Sequence, residues 1–88
     1  MLKPIYLNSF EDETHLAKKR HKDLSKLRKI IDKLIKEEPL PPKNRNHKLK
    51  GEFVGYWECH IEPDWLLVYK KTDTHIIFVR TGTHSDLF

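Results

Sequence analysis

The spacing of apolar residues in this chain changes at a proline-rich loop, and this change constrains the fold more than any other feature. Before the loop, Leu24, Leu27 and Ile31 recur at helical spacing. After it, apolar and polar residues alternate over 53–61 with the period of a strand that has one buried face. The sequence therefore predicts a helical first half and a sheet-forming second half, which is typical of an α+β domain.

Capping and turn residues divide the two halves into elements. Asn8 or Ser9 is a candidate N-cap of the first helix, and Ser9 with Asp12 has the spacing of a capping box. Asp23 is the candidate N-cap of the second helix, which Pro39 ends. The predicted order is strand, helix, helix, strand, strand, strand, with strands at 3–7, 52–61, 65–71 and 75–81 and a short tail at 85–88. We expect a small, mostly antiparallel, twisted sheet with a helical pair on one face.

Length and charge restrict the class of protein. The 88 residues suffice for a single domain, 1–88, with one core. The formal net charge of +4 favours nucleic acid or an acidic protein as partner. No apolar run approaches the roughly 20 residues of a membrane span, and the first ten residues are too polar for a signal peptide. We therefore expect a cytoplasmic protein with no membrane partner.

The single cysteine, Cys59, excludes an internal disulfide and fits a reducing compartment. Its place in a strand pattern, beside Trp57 and Ile61, favours a small buried residue over a nucleophile. Zinc is the alternative use of this residue, with His60, Asp64 and His84 as further ligands. Adjacent strand residues point to opposite faces, however, and no CxxC, HxH or HExxH spacing is present. The sequence predicts neither a metal nor another cofactor.

Residues able to move protons around a phosphodiester gather in the predicted sheet. His60 and Asp64 flank a tight turn, Arg80 lies near the end of the last strand, His84 lies near the C-terminus, and His47 comes from the loop. Histidine suits proton transfer from a ribose 2′-OH and to a leaving 5′-oxygen, because its unperturbed pKa is about 6.5. Arginine supplies a fixed positive charge to the phosphate. We predict metal-free RNA cleavage, with Asp64 beside His60 and orienting an imidazole.

The loop at 39–51 is stiffened by three prolines and carries four cations without an acid. Such a loop is a candidate phosphate clamp, the alternative being a soluble connector. Its cations are Lys43, Arg45, Lys48 and Lys50. The terminal aromatic residue, Phe88, is a candidate for stacking on an RNA base.

The chain resembles the YafQ-type branch of the RelE/ParE toxin superfamily, bacterial ribosome-dependent mRNA interferases of toxin–antitoxin pairs. The resemblance covers nearly the whole chain. Its matching segments are LAKKRHKDLSKL (16–27), EEPLPP (37–42), NHKLKG (46–51), ECHIEPDWLLVYK (58–70) and VRTGTHSDLF (79–88). It implies a RelE-like fold, a co-encoded antitoxin as partner, and mRNA in the ribosomal A site as substrate. Any contact with operator DNA is expected through the antitoxin alone.

The resemblance also assigns roles to residues. It implies a catalytic cluster of His47, His60, Asp64, Arg80 and His84. The terminal Phe88 would help to position the substrate. Within the cluster, His60 or His47 is the expected general base, oriented by Asp64. His84 is the expected general acid, and Arg80 binds the phosphate in the transition state.

Two departures from the family pattern and one rival function stay open. Trp57 stands where the family usually has arginine, which implies weaker activity or a shifted sequence preference. The acidic run Glu11, Asp12 and Glu13 stands where lysines are common, which implies altered contact with ribosomal RNA or the antitoxin. The rival is a non-catalytic basic module that blocks translation, serves as a co-repressor with the antitoxin, or acts on another target such as gyrase.

Overall fold

The computed structural model describes residues 1–88 and contains a mixed five-stranded sheet. In chain order its elements are β1 (Lys3–Tyr6), α1 (Asn8–Lys19), α2 (Leu24–Ile35), β2 (His47–Lys48), β3 (Trp57–Glu62), β4 (Trp65–Lys71), β5 (His75–Gly82) and α3 (His84–Leu87). The strand order across the sheet is β1-β5-β4-β3-β2. The α+β prediction is confirmed, with two corrections: β1 runs parallel to β5, and the loop contributes the short strand β2.

The two long helices begin in different ways. Asp23 caps α2 as predicted, since its carboxylate accepts a hydrogen bond from the backbone N–H of Ser25 at 3.0 Å. The predicted capping of α1 is wrong, because Leu7 occupies the N-cap position. The hydroxyl of Ser9 instead donates to the backbone carbonyl of Val79 at 2.6 Å. This bond fastens the start of α1 to β5.

The main core lies between the helical pair and one face of the sheet. The helices contribute Phe10, Ala17, Leu27, Ile30 and Leu34, and the strands contribute Cys59, Trp65, Leu67, Tyr69, Ile76 and Phe78. Trp65 is only 1% exposed, and its indole N–H donates to the Thr81 hydroxyl at 3.0 Å. Cys59 is fully buried, and burial raises the pKa of its thiol to about 12. The prediction of a structural rather than a nucleophilic cysteine therefore fits the core.

The second predicted strand, 52–61, begins later than its alternating pattern indicated. Gly51–Phe53 forms a short 3-10 turn, and Gly55 has a φ of +93°, which residues with a side chain rarely adopt. The pairing of β3 therefore starts at Trp57. As a result, Phe53 lies on the surface with 40% of its area exposed.

The opposite face of the sheet, here called the open face, is not covered by α1 or α2. It carries a second, smaller apolar cluster formed by Leu66 and Val68 of β4 and Leu87 of α3. This cluster forms an apolar floor beside the predicted site. None of the helices has the length and apolarity to span a bilayer.

Candidate active site

A row of paired residues crosses four strands on the open face. His47 of β2 pairs with Glu58 of β3, Glu58 pairs with Val68 of β4, and Val68 pairs with Arg80 of β5. Directly paired residues on neighbouring strands project to the same face of a sheet. Strand spacing of about 4.8 Å separates the backbones of Glu58 and Arg80 by roughly 10 Å. The row therefore places the acidic residue Glu58 and the positively charged residue Arg80 on either side of the apolar Val68.

A second row, next to the first, brings two histidines together. His60 pairs with Leu66, and Leu66 pairs with Gly82. Because Gly82 ends β5 just before α3, His84 returns to the rim of the sheet beside His60. The two imidazole rings have centroids 5.8 Å apart. The β-meander therefore assembles the histidine pair that the sequence predicted.

The carboxylate of Glu58 lies between two of the predicted histidines. Its Oε1 atom is 3.6 Å from Nε2 of His47 and 3.7 Å from Nε2 of His60. Only 8% of the Glu58 side chain is exposed. Sequence reasoning missed this residue, although the alternation of β3 placed it on the same face as His60. A buried acid within reach of two imidazoles can stabilise positive charge on either ring.

Asp64 is paired with His84 rather than with His60. Its Oδ1 accepts from the backbone N–H of His84 at 3.0 Å and lies 2.6 Å from Nδ1 of the same residue. These two hydrogen bonds hold the pKa of Asp64 below its ordinary value, and the bond from the backbone N–H has the larger effect. His60 instead has its Nδ1 3.2 Å from the carbonyl oxygen of Pro63. The predicted partner of Asp64 was wrong because α3 brings its own backbone donor to the carboxylate. With Nδ1 of His84 held, Nε2 is its nitrogen available for proton transfer.

A capping box and an ion pair fix α3, and with it His84. Thr83 accepts from the backbone N–H of Asp86 at 3.1 Å, and the Asp86 carboxylate accepts from the backbone N–H of Thr83 at 3.0 Å. Arg20, at the C-terminal cap of α1, donates to the same carboxylate at 2.7 Å. The hydrogen bond from Arg20 is the main reason that the pKa of Asp86 falls from 3.8 to about 2. The site's last helix is therefore anchored to the first.

We expect the stabilisation by Asp86 to be lost in acid. Because its pKa is lowered in the folded state, Asp86 stabilises the fold fully above pH 3.8, and the contribution declines as the pH falls towards about 2. Urea unfolding of the wild type and of Asp86→Asn, from about pH 6 to about pH 2, measures this. The difference in unfolding free energy should be largest at the upper end and smallest at the lower end. A difference that does not change with pH would contradict a role for the charge.

Glu13 of α1 holds the guanidinium of Arg80. Nε of Arg80 donates to the Glu13 carboxylate at 3.2 Å and Nη2 donates at 2.8 Å, while Nη2 also reaches the carbonyl of Asp86 at 3.3 Å. The hydrogen bond with Glu13 raises the pKa of Arg80 above its ordinary value. Glu13 belongs to the acidic run for which the sequence indicated an external partner. The structure gives this carboxylate a partner within the chain.

The four cations of the basic loop are divided between two places. Lys43 and Arg45 line a cleft of about 440 Å³ that His60 also lines. Between them, the amide of Asn44 donates to the backbone carbonyl of His60 at 2.7 Å, which joins the loop to β3. Nζ of Lys48 lies 5.4 Å from the centroid of the Trp57 ring, and this ring faces away from Glu58 and His60. Lys50 precedes the Gly51–Phe53 turn. Only the first two cations therefore lie beside a catalytic candidate.

Phe88 is half-exposed at the edge of the open face. It is 55% exposed, and it meets Phe53 edge to face with ring centroids 5.2 Å apart. These two rings, with Tyr56 and Arg80, line part of a pocket of about 210 Å³. The aromatic terminus therefore has a defined place next to a residue of the predicted cluster.

The four residues of the alternative zinc site do not come together in the structure. Cys59 points into the helix-covered core, whereas His60 lies on the open face. No three His, Cys, Asp or Glu side chains are arranged to hold a metal ion.

Comparison with known proteins agrees with this architecture. A family model described as a bacterial toxin of a type II toxin–antitoxin system, YafQ, matches residues 2–88. The chain is 45% identical over 84 residues to the mRNA interferase toxin YafQ of Escherichia coli strain K12, covering 94% of this chain and 91% of that protein. A chain of the crystal structure of the E. coli DinJ–YafQ toxin–antitoxin complex is similar, with a TM-score of 0.92 and 43% identity, covering 99% of this chain and 97% of that one.

A copper-bound mutant toxin from Helicobacter pylori has a TM-score of 0.96 at 41% identity, with all of both chains covered. The sequence match thus extends over nearly the whole chain, and the fold agrees with those of solved relatives. This chain belongs to the YafQ family of bacterial toxins from type II toxin–antitoxin systems.

Proposed function

We propose that this chain is the toxin of a type II pair and that it inhibits translation by cutting mRNA. The observation that carries the proposal is the open-face cluster in which His84, oriented by Asp64, lies beside His60, and His60 in turn lies beside Glu58. The E. coli relative is named as an mRNA interferase, and YafQ of E. coli was crystallised in a toxin–antitoxin complex with DinJ. A protein that only binds has no use for two imidazoles and two carboxylates arranged for proton transfer.

The reaction is an internal transesterification. The ribose 2′-oxygen attacks the adjacent phosphorus while the general base, His60 or His47, takes its proton. The bond from phosphorus to the 5′-oxygen breaks, and His84 gives its proton to that oxygen. The products are a 2′,3′-cyclic phosphate and a 5′-hydroxyl end. Each of the two proton transfers typically contributes about 10²- to 10⁴-fold in rate.

Two carboxylates support the two proton transfers. Glu58, within 3.7 Å of both candidate bases, stabilises the imidazolium that forms when a base takes the proton. Asp64 holds Nδ1 of His84, which leaves Nε2 to deliver a proton to the leaving oxygen. Because the histidines and Glu58 lie this close, they act as a coupled set, and the base is assigned to the His60–His47 pair rather than to one ring.

Positive charge and aromatic surface hold the RNA. Arg80 contacts the reacting phosphate, while Lys43 and Arg45 bind neighbouring phosphates at the cleft beside His60. Lys48 and Lys50 add to the charge of the surrounding surface. The aromatic rings of Phe88 and Phe53 offer a surface on which an RNA base can stack, at the pocket that Arg80 also lines.

The partners follow from this assignment. The toxin acts in the cytoplasm on mRNA in the ribosomal A site, and a co-encoded antitoxin neutralises it, as the complex of the E. coli relative suggests. Operator DNA is contacted through the antitoxin alone. Free RNA is a poor substrate, because the ribosome supplies the orientation of the 2′-hydroxyl that in-line attack requires.

The test combines mapping of cut sites with chelation of metals. Brief induction of the protein should produce new mRNA 5′ ends that are phased with codons and carry 5′-hydroxyl groups. Toxin that has been incubated with EDTA and then freed of the chelator should cut mRNA on programmed ribosomes at the same rate as untreated toxin, since the histidines perform the proton transfers. The ribosomes keep their Mg²⁺ throughout. Growth arrest without new 5′ ends would favour a binding inhibitor, and loss of cutting by the EDTA-treated toxin would contradict the metal-free mechanism.

A further inference from the structure

Glu13 differs from its neighbours in the acidic run of α1. Its side chain is 17% exposed, and its carboxylate accepts from Nε and Nη2 of Arg80 and from the backbone N–H of Thr81 at 3.4 Å. The neighbouring acids Glu11 and Asp12 are exposed and form no ion pair or side-chain hydrogen bond. One acid of the run is therefore built into the sheet side of the helix, and the others are not.

The contact uses one particular edge of the guanidinium. Glu13 binds the Nε–Nη2 edge, and the carbonyl of Asp86 takes a further bond from Nη2. The other terminal nitrogen, Nη1, makes no hydrogen bond within the protein. Because a guanidinium is planar and its fork is rigid, fixing one edge also fixes the direction of the remaining donors. The side chain is still 42% exposed, so a ligand can reach it.

The position of Arg80 makes this direction important. Arg80 and Glu58 belong to the same cross-strand row and are separated by Val68. A phosphate lying over Val68 would have the histidine–carboxylate cluster on one side and the free edge of Arg80 on the other. A long arginine side chain without support would sample many rotamers, and small misplacements of a binding group reduce rate strongly.

We propose that Glu13 is a positioning residue for RNA cleavage, which holds Arg80 by one edge so that its free donors meet the phosphate in the transition state. This inference rests on the proposed function. Glu13 itself touches no substrate and acts through Arg80. Through this contact, the first long helix of the fold helps to place Arg80, which lies near the other end of the chain.

The experiment is a double-mutant cycle measured by single-turnover cleavage of mRNA on programmed ribosomes. We expect Glu13→Gln to lower the rate at saturating toxin by about tenfold to a hundredfold, because a Gln amide cannot accept two bonds from the fork. The toxin concentration giving half the maximal rate should change by less than about twofold, since the positive charge of Arg80 remains. Glu11→Gln, the same change at an exposed acid of the same run, should match the wild type in the rate at saturating toxin.

The Arg80→Ala background separates positioning from mere support of the fold. If Glu13 acts through Arg80, Glu13→Gln should have no further effect in that background. An equal slowing in both backgrounds would reveal a structural role and overturn the inference. Full activity of Glu13→Gln beside a slow Arg80→Ala would overturn it too, yet leave the proposed function intact. A fully active Arg80→Ala would remove Arg80 from the proposed mechanism and Glu13 with it.

Discussion

Replacing His84 with glutamine is expected to lower the rate of mRNA cleavage by about 10²- to 10⁴-fold while leaving the protein folded. Gln keeps a side-chain donor that can reach Asp64, but it cannot give a proton to the leaving 5′-oxygen. The His84 side chain is more than half exposed, at 56%, so its loss removes little packing. The affected step is therefore the chemical one rather than RNA binding or folding.

The measurement is single-turnover cleavage on mRNA-programmed ribosomes, with thermal unfolding and antitoxin binding as checks of the fold. His15→Gln is the matched control, because His15 is an exposed histidine of α1 and is not one of the catalytic candidates. The same variant also decides between the two function classes. If His84→Gln still arrests translation as the wild type does, without cutting mRNA, the protein is a binding inhibitor. If it still cuts mRNA at the wild-type rate, His84 is not the general acid.

The elements that could be predicted from the sequence are those with strong local signals. The apolar spacing of α2, its Asp23 cap and the strand segments at 65–71 and 75–81 between turn residues are properties of neighbouring residues, and the structure reproduces them. The start of β3 was missed because Gly55, with its positive φ, ends the turn that replaces the first part of the pattern. The parallel pairing of β1 with β5 joins segments that are separated in the chain by both long helices and three strands, which no local pattern encodes.

The candidate site divides in the same way. Strand alternation, which the sequence displays, places His60 on the open face. The same alternation would place Arg80 on the core face with Ile76 and Phe78, but the pairing of β4 with β5 shifts register there, so that Tyr69 pairs with Phe78 and Val68 with Arg80, and Arg80 lies on the open face. The partners of these residues depend on tertiary contacts: Asp64 meets His84 because α3 folds back, and Glu13 meets Arg80 because α1 packs on β5. Acids of this kind look like ordinary surface charges in the sequence. Their role becomes visible only when the distance to a partner is known.

The departure at Trp57 also depends on which face the residue occupies. Trp57 stacks on Tyr69 with ring centroids 6.2 Å apart, and Lys71 lies 4.7 Å from its ring. Since strand neighbours alternate, this side chain faces away from Glu58 and His60. Any effect of the change from arginine on activity must therefore act outside the open-face cluster.

The second large effect is expected at Glu58, the acid that the sequence analysis did not single out. Glu58→Gln should slow cleavage by about 10²- to 10³-fold, the usual cost of removing one preorganised electrostatic group. Gln has nearly the same shape and can still contact His47 and His60, so the change removes the negative charge and little else. With that charge gone, the imidazolium formed by the base loses the buried carboxylate 3.6–3.7 Å away.

The measurement again is single-turnover cleavage, with urea unfolding as the check of the fold. Glu38→Gln is the matched control, because Glu38 is an exposed acid beyond the end of α2. The fold should tolerate Glu58→Gln, since a neutral amide is easier to bury than a carboxylate. A slow but stable variant would place Glu58 in the chemistry beside the two histidines. A variant that cuts at the wild-type rate would mean that the proton is taken without help from this carboxylate, and the role of the base would then rest on His47 and His60 alone.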